Sequence, residues 1–231
     1  MKRFLLYSSL FIIFVFFSVW LSILVSSESL PTANGSSHDA ELLADKMLKA
    51  INKDAYDSIR LIEWSFPRGH RFLWDKEANH VTANWGENKV SFYPDDLTGT
   101  AFVGNTKIED TEQKNELIQK AWALFANDSF WLVAPYKVRD PGTSRAVVET
   151  DRGTGLLVTY SSGGVTPGDS YLWILDDIGK PVAWKMWVSI LPVKGLTFTW
   201  EGDQIHSAAW FAPLHKGPMG YHVDLKIHRV E

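Results

Sequence analysis

The stretch FANDSFWLVAPYKVRDPGT, residues 125–143, decides the fold because a helical pattern gives way to strand patterns within it. Before it, Asp110 can cap a helix, and Gln113 lies where it completes a capping box. Apolar residues then recur at helical spacing as far as the start of the stretch. Asn127 is typical of a helix end, and residues 130–133 are aromatic and branched, as in a strand. We therefore predict one amphipathic helix that covers the sheet formed by the strands on either side of it.

Short segments of alternating apolar and polar residues fill most of the chain before and after this helix. In the clearest segment, Leu196, Phe198 and Trp200 alternate with Thr197 and Thr199. Turn residues separate one such segment from the next. This pattern is typical of antiparallel strands that bury one side of their sheet.

An apolar stripe of helical spacing near the start of the chain predicts a first helix, capped by Ser37 or Asp39 and ending near Ile51. Two main helices that do not alternate with the strands make the predicted class α+β. A sheet of about ten or eleven strands is expected to curl rather than stay flat. We therefore predict a strongly curved antiparallel sheet, a half-barrel, packed on the two helices.

The central stretch also carries a family resemblance, through Asn127 to Leu132 followed by Pro135, Lys137 and Asp140 to Gly142. In this run the chain resembles bacterial exported proteins related to the lipoprotein-carrier (LolA/LolB-like) superfamily, and the order of patterns is similar over roughly residues 39–231. The resemblance implies a half-barrel whose concave face is plugged by helices. It also implies an apolar cavity that holds acyl chains or similar ligands.

The N-terminal sequence predicts a membrane segment. Lys2 and Arg3 precede an uncharged apolar run from Phe4 to Val25, which at about 22 residues is long enough to span a bilayer. Positive charge before the run predicts a cytoplasmic N-terminus and an extracytoplasmic or periplasmic domain. A signal peptide has a shorter apolar core of about 7–15 residues. Small residues at positions 25–27 nevertheless offer a cleavage site, which would release a periplasmic or secreted domain. Both interpretations stay open, with the uncleaved anchor preferred.

Composition divides the chain and excludes several kinds of function. Residues 1–27 form the predicted signal anchor or signal peptide, the polar residues 28–38 a flexible linker, and residues 39–231 the half-barrel domain. The chain has no cysteine, which excludes disulfides, thiol catalysis, cysteine metal sites and a lipid-modified cysteine. Its net charge is −4 and its basic residues are dispersed, which argues against nucleic acid as a partner.

Aromatic residues give the main functional signal, since the chain contains eleven tryptophans. Eight large rings lie on the apolar faces of their predicted strands. They could line a concave cavity for an apolar ligand, or they could pack against the two helices. We predict the first, a binding protein for a lipid, acyl chain or other hydrophobic small molecule, with a ligand site formed by Trp64, Phe66, Phe72, Trp74, Trp85, Phe92, Phe198 and Trp200.

Other residues suggest weaker alternatives. Trp173, Trp187 and Trp210 are predicted on the opposite strand faces, where exposed rings could stack on sugars of a glycan or form a cell-envelope interaction module. Histidines and an aspartate near the C-terminus could suggest a metal site or a hydrolase, although a solvated polar face is the simpler interpretation; they are His206, His215, His222, Asp224 and His228. We predict no catalytic residue, no metal and no cofactor, and the sequence does not identify a protein partner.

Overall fold

The computed structural model of the chain describes residues 27–231, so the predicted membrane segment lies outside the described residues. Within residues 27–231, no helix has the length and apolar character needed to cross a bilayer. The helices are α1 Ser37–Ala50, α2 Lys53–Ser58 and α3 Thr111–Val133, with 3-10 helices at Ala134–Lys137 and Pro218–Gly220. The strands are β1 Leu61–Phe66, β2 His70–Asp75, β3 His80–Trp85, β4 Asn88–Phe92, β5 Gly99–Val103, β6 Thr106–Lys107, β7 Thr143–Thr150, β8 Gly153–Tyr160, β9 Ser170–Leu175, β10 Pro181–Trp187, β11 Leu196–Thr199, β12 Gln204–His206, β13 Ala209–Phe211, β14 Leu214–Lys216, β15 His222–Asp224 and β16 Lys226–Val230.

Helix α1 begins with a capping box, one residue earlier than predicted. The Ser36 hydroxyl accepts a hydrogen bond from the Asp39 N–H, and the Asp39 carboxylate accepts one from the Ser36 N–H, both at 3.1 Å. Ala44, Met47 and Leu48 are buried along one face of the helix, as the apolar stripe predicted, and Ala40 is buried with them.

Helix α3 begins where the sequence predicts and ends later. The Asp110 carboxylate accepts a hydrogen bond of 2.8 Å from the Gln113 N–H, so the predicted cap is confirmed. The helix then continues through Asn127 to Val133, and a 3-10 helix follows, so the predicted helix end and the predicted strand at residues 130–133 are wrong. Local propensity favoured a break here, but the side chains of this last part of α3 find tertiary partners, which outweigh the local preference.

The strands confirm the α+β class and the antiparallel pairing. They number sixteen in the described part of the chain rather than ten or eleven, and they form two large sheets and two small ones. The seven-stranded sheet has the order β16-β1-β2-β3-β4-β5-β6, and the five-stranded sheet has the order β11-β10-β9-β8-β7. The small sheets are the pairs β12-β13 and β14-β15.

Backbone hydrogen bonds link the two large sheets through the short strands. Glu201, just after β11, exchanges two hydrogen bonds with Leu214 in β14, of 2.8 and 3.1 Å. Strand β14 pairs with β15, and only Leu225 separates β15 from β16. The chain from residue 222 to residue 230 therefore pairs first with the β11 side of the molecule and then with β1.

Helices α1 and α3 cover one side of these sheets and share one continuous buried core with them. Residues 27–35, which we call the strap, cross the opposite side of the five-stranded sheet. At one end the Glu28 carbonyl accepts a hydrogen bond of 2.9 Å from the Trp187 indole on β10, and at the other the Asn34 N–H donates to the Val147 carbonyl of β7, also at 2.9 Å. This part of the predicted flexible linker is thus held against the sheet by residues far away in the sequence.

Candidate functional site

Six of the eight aromatic residues predicted as a ligand site lie beneath α3, in two groups. Phe125 of α3 is the centre of the first group, on the seven-stranded sheet. Its ring centroid lies between 5.4 and 6.3 Å from four of the predicted rings, which are Trp64, Phe72, Trp74 and Phe92. Of these four only Trp74 is half-buried, and the rest are buried. The helix therefore fills the space in front of these residues.

The second group lies on the five-stranded sheet around Trp131 of α3. The Trp131 ring lies 5.0 Å from predicted residue Phe198 and 5.1 Å from Trp184. Trp200 lies behind them, 5.1 Å from Trp184 and 5.2 Å from Trp173. The sequence thus pointed to two members of this cluster and missed the inward position of Trp173, which is buried rather than on the opposite face.

The last two predicted residues lie apart from both groups. Trp85 is buried at the end of β3, and the Lys120 ammonium group of α3 lies 5.9 Å from its ring centroid. Phe66 is half-buried, with its ring 6.3 Å from that of His70. All eight predicted residues belong to the core beneath the helices or pack against it.

Two grooves on the surface lie away from these residues. One, of about 490 Å³, runs between α1 and the ends of β7 to β10 and is lined by charged side chains that include Asp39, Lys46, Arg152 and Asp176. The other, of about 330 Å³, lies between residues 167–169 and the start of the β10–β11 loop. None of the eight predicted residues lines either groove.

Buried polar atoms without partners are the most unusual feature of the interior. Eight such atoms have no hydrogen-bond partner among the described residues. Buried polar groups in folded proteins are almost always paired, and an unpaired one costs about 1–3 kcal/mol. Six are indole N–H groups and two are other side-chain atoms, and they belong to Trp64, Trp74, Trp173, Trp184, Trp200, Trp210, Tyr160 (hydroxyl) and His215 (Nε2).

His215 shows how apolar this interior is. Its ring lies 4.4 Å from the Trp200 ring and 5.3 Å from the Trp131 ring, and its Nδ1 lies 3.0 Å from the Thr199 carbonyl oxygen. Burial lowers the pKa of His215 to about 4, while the backbone carbonyls of Thr199 and Trp131 act in the opposite direction. The ring is therefore neutral near pH 7. Because Nδ1 faces the Thr199 carbonyl, we assign the proton of the neutral ring to Nδ1, which leaves Nε2 without a hydrogen-bond partner.

A buried acidic residue lies between the two aromatic groups. Asp128 of α3 is 1% exposed, and its carboxylate contacts His70 Nδ1 at 2.7 Å and accepts a hydrogen bond of 2.9 Å from the Asn127 amide. Burial raises the pKa of the Asp128 carboxyl, and the hydrogen bonds from Asn127 and His70 offset part of that effect. No sequence pattern indicates this pair, because its members are 58 residues apart.

The alternative sites are not assembled. Trp173 and Trp210 are buried, so their predicted exposure is wrong, and Trp187 is half-buried against the strap. The C-terminal polar residues do not converge, since His215 is buried while the others reach the surface separately. Within residues 27–231, no three His, Asp or Glu side chains lie close enough together to hold a metal ion.

Comparisons with known proteins include a weak structural likeness. No family model matches the sequence, and no curated protein matches it. Among solved structures, the fold is similar to a crystal structure of a DUF1329 family protein from Desulfovibrio piger. The TM-score is 0.40 at 10% sequence identity, and the match covers 83% of this chain and 92% of that chain.

Proposed function

We propose that this protein is an exported, membrane-tethered binding protein, not an enzyme, and that it takes the apolar chain of a lipid-like molecule between α3 and the aromatic faces of the two sheets. The proposal is based on the set of buried polar atoms in this interior that have no hydrogen-bond partner among the described residues. An ordinary apolar core would use phenylalanine or leucine at these positions, because they leave no donor unpaired. A ligand with an apolar chain and a few oxygen atoms would match both the rings and the N–H groups.

The arrangement of the strands supports a half-barrel around this site. The path that follows paired strands from β7 through β11 and β14 to β15, continues along the chain into β16 and then follows paired strands to β6 has the order expected of one strongly curved sheet. Helix α3 occupies its concave side, with Phe125 on the seven-stranded part and Trp131 on the five-stranded part. In this proposal α3 is a plug that moves outward when the ligand enters. The sequence resemblance to lipoprotein carriers agrees with an acyl chain as the ligand.

The proposal is tested with a photoactivatable fatty acid, whose diazirine group reacts with whatever side chain it touches. The full-length protein is placed in phosphatidylcholine nanodiscs, irradiated with the probe and digested, and the crosslinked peptides are identified by mass spectrometry. We expect crosslinks in the second half of α3 and on β9 to β11. Crosslinks confined to loops, or none at all, would refute binding in the interior.

A pair of conservative variants separates ligand contact from simple packing. Trp200→Phe removes an unpartnered N–H, whereas Trp85→Phe removes an indole whose N–H is not among the unpartnered buried atoms. If the Trp200 N–H bonds to the ligand, its loss weakens crosslinking by about 2- to 10-fold, which corresponds to about 0.5–1.5 kcal/mol. Equal effects of the two variants would show that these rings serve only as core.

A further inference from the structure

Three loops lie together at one end of the five-stranded sheet. Antiparallel pairing brings the β8–β9 loop, residues 161–169, and the β10–β11 loop, residues 188–195, to the same end. The Asp169 carboxylate joins them by accepting a hydrogen bond of 2.7 Å from the Ser189 N–H. The β14–β15 loop, residues 217–221, reaches the same end, because β14 runs antiparallel to the end of β11 and the loop then packs on Phe198. We call these three loops the rim.

The rim presents apolar side chains to the surroundings. Val165 is 45% exposed, Ile190 63%, Met219 102% and Tyr221 54%. Met219 also has a φ of +54°, a left-handed conformation that residues other than glycine rarely adopt. Single exposed apolar residues are common on protein surfaces, but here each of the three neighbouring loops carries one at its tip or flank.

The chain leaves its N-terminal apolar run at this same end. The Ser27 hydroxyl accepts a hydrogen bond of 3.2 Å from the Lys194 N–H, and the Glu28 N–H donates one of 3.0 Å to the Lys194 carbonyl. The apolar run ends at Val25. Two residues can span only about 7 Å. As a helix, the run of about 22 residues would measure about 33 Å, close to the hydrocarbon thickness of about 30 Å. Almost no chain would then remain between the bilayer surface and Ser27.

We propose that the rim lies on the bilayer that holds the protein's own N-terminal segment, with Val165, Ile190 and Met219 inserted among the lipid headgroups. This inference rests on the membrane tether in the proposed function, and it adds the orientation of the domain. Because Ser27 is fastened to the rim, the rim cannot move far from the membrane surface. Tyr221 and Trp187 are amphipathic rings of the kind enriched at membrane interfaces, and both lie beside the rim loops. A ligand would then pass between the membrane and the interior at this end.

Site-specific labelling tests this orientation. The chain contains no cysteine, so a single introduced cysteine carries the only label. Ile190→Cys and Met219→Cys report on the rim, while Ile178→Cys and Ile205→Cys, at positions 69% and 66% exposed near the other end, are matched controls. Each full-length variant is reconstituted in phosphatidylcholine vesicles and labelled with a polarity-sensitive fluorophore. Quenching by lipids brominated near the headgroup is then measured.

We expect blue-shifted, quenched emission at positions 190 and 219, at a depth of about 5–10 Å into the headgroup–acyl boundary, and unquenched emission at positions 178 and 205. Rim labels whose emission is as red-shifted and unquenched as that of the controls would overturn the inference. A chain that does not co-migrate with the vesicles in a flotation gradient would also overturn it. As a second measurement, Ile190→Asp should reduce quenching of a label at position 165, whereas Ile178→Asp should not. Label depth is independent of the photocrosslinking result. Quenched rim labels without interior crosslinks would refute only ligand binding. Interior crosslinks with unquenched rim labels would refute only the orientation.

Discussion

His215 should make the stability of this protein fall steeply between pH 6.5 and pH 4. Burial among tryptophan rings lowers its pKa from 6.5 to about 4 in the folded chain. In the unfolded chain the ring takes up a proton below pH 6.5, whereas in the folded chain it does so only near pH 4. The unfolded state therefore binds more protons throughout this interval, and the free energy of unfolding decreases as the pH falls. Above pH 6.5 this contribution is fully present.

The size of the effect follows from the difference in pKa. A pKa difference of about 2.5 between the two states, at about 1.4 kcal/mol for each unit, gives about 3–4 kcal/mol in total, of which about 3 kcal/mol is lost between pH 6.5 and pH 4. Asp128 acts in the opposite direction. Its raised pKa means that the folded state binds a proton first, so lowering the pH favours folding at that site. A comparison of the wild type with a His215 variant cancels the Asp128 contribution, because both proteins retain that residue.

The variant for this comparison is His215→Gln, since glutamine does not titrate and its amide can still donate to the Thr199 carbonyl. Urea titrations of the full-length chain in nonionic micelles, monitored by tryptophan fluorescence, give the free energies of unfolding. We expect the wild type to lose about 3 kcal/mol more than the variant between pH 6.5 and pH 4. The matched control is His222→Gln, which replaces an exposed histidine and should follow the wild type. A constant difference between wild type and His215→Gln across this range would refute the burial argument.

Two further substitutions test the core by the same urea titration. Tyr136→Phe removes a buried hydroxyl whose single proton lies between the backbone carbonyls of Ile51 and Trp210, so it should cost about 1–3 kcal/mol, whereas Tyr93→Phe at an exposed position should change stability by less than about 0.5 kcal/mol. Phe125→Ala removes the ring at the centre of the first aromatic group and should lower the free energy of unfolding by about 3–5 kcal/mol. Ile178→Ala, in an exposed turn, is the control and should be nearly neutral. If Phe125→Ala lowers stability no more than Ile178→Ala does, α3 is not packed as described.

Alternation in the sequence predicted the strands that bury only one side. In β11 the inward residue Phe198 is buried and its neighbour Thr197 is exposed, as the pattern indicated. The same logic failed in β9, where Leu172, Trp173 and Ile174 are all buried. Leu172 belongs to a small apolar cluster beside Trp187, on the side that the strap crosses, so both faces of β9 are covered. A strand that is covered on both faces shows no period of two, and the sequence could not indicate which way Trp173 points.

The strap was unpredictable for a related reason. Residues 28–38 are polar and contain proline and glycine, which is the composition of a flexible linker. Their ordered partners are Lys185, Trp187 and Lys194, more than 150 residues later in the chain. Composition describes what a segment would do alone, and it carries no information about a sheet that forms elsewhere. The same limit applies to the orientation that we propose for the domain, because that proposal depends on these contacts of residues 27 and 28.

The end of α3 shows how one buried pair can reverse a local preference. Asn127, Asp128 and Ser129 compete with helical hydrogen bonding when they are solvated, so together they favour a helix end. In the fold, the Asp128 carboxylate instead bonds to His70 of β2, and the helix continues. That continuation carries Phe130 and Trp131 from the seven-stranded sheet onto the five-stranded one. A hydrogen-bonded pair buried in this way adds little net stability, since desolvation offsets most of its attraction, and we expect its main effect to be to favour one position of α3. The pair therefore favours the position of α3 across both sheets. If α3 moves to admit a ligand, either the contact between Asp128 and His70 breaks or His70 moves together with the helix.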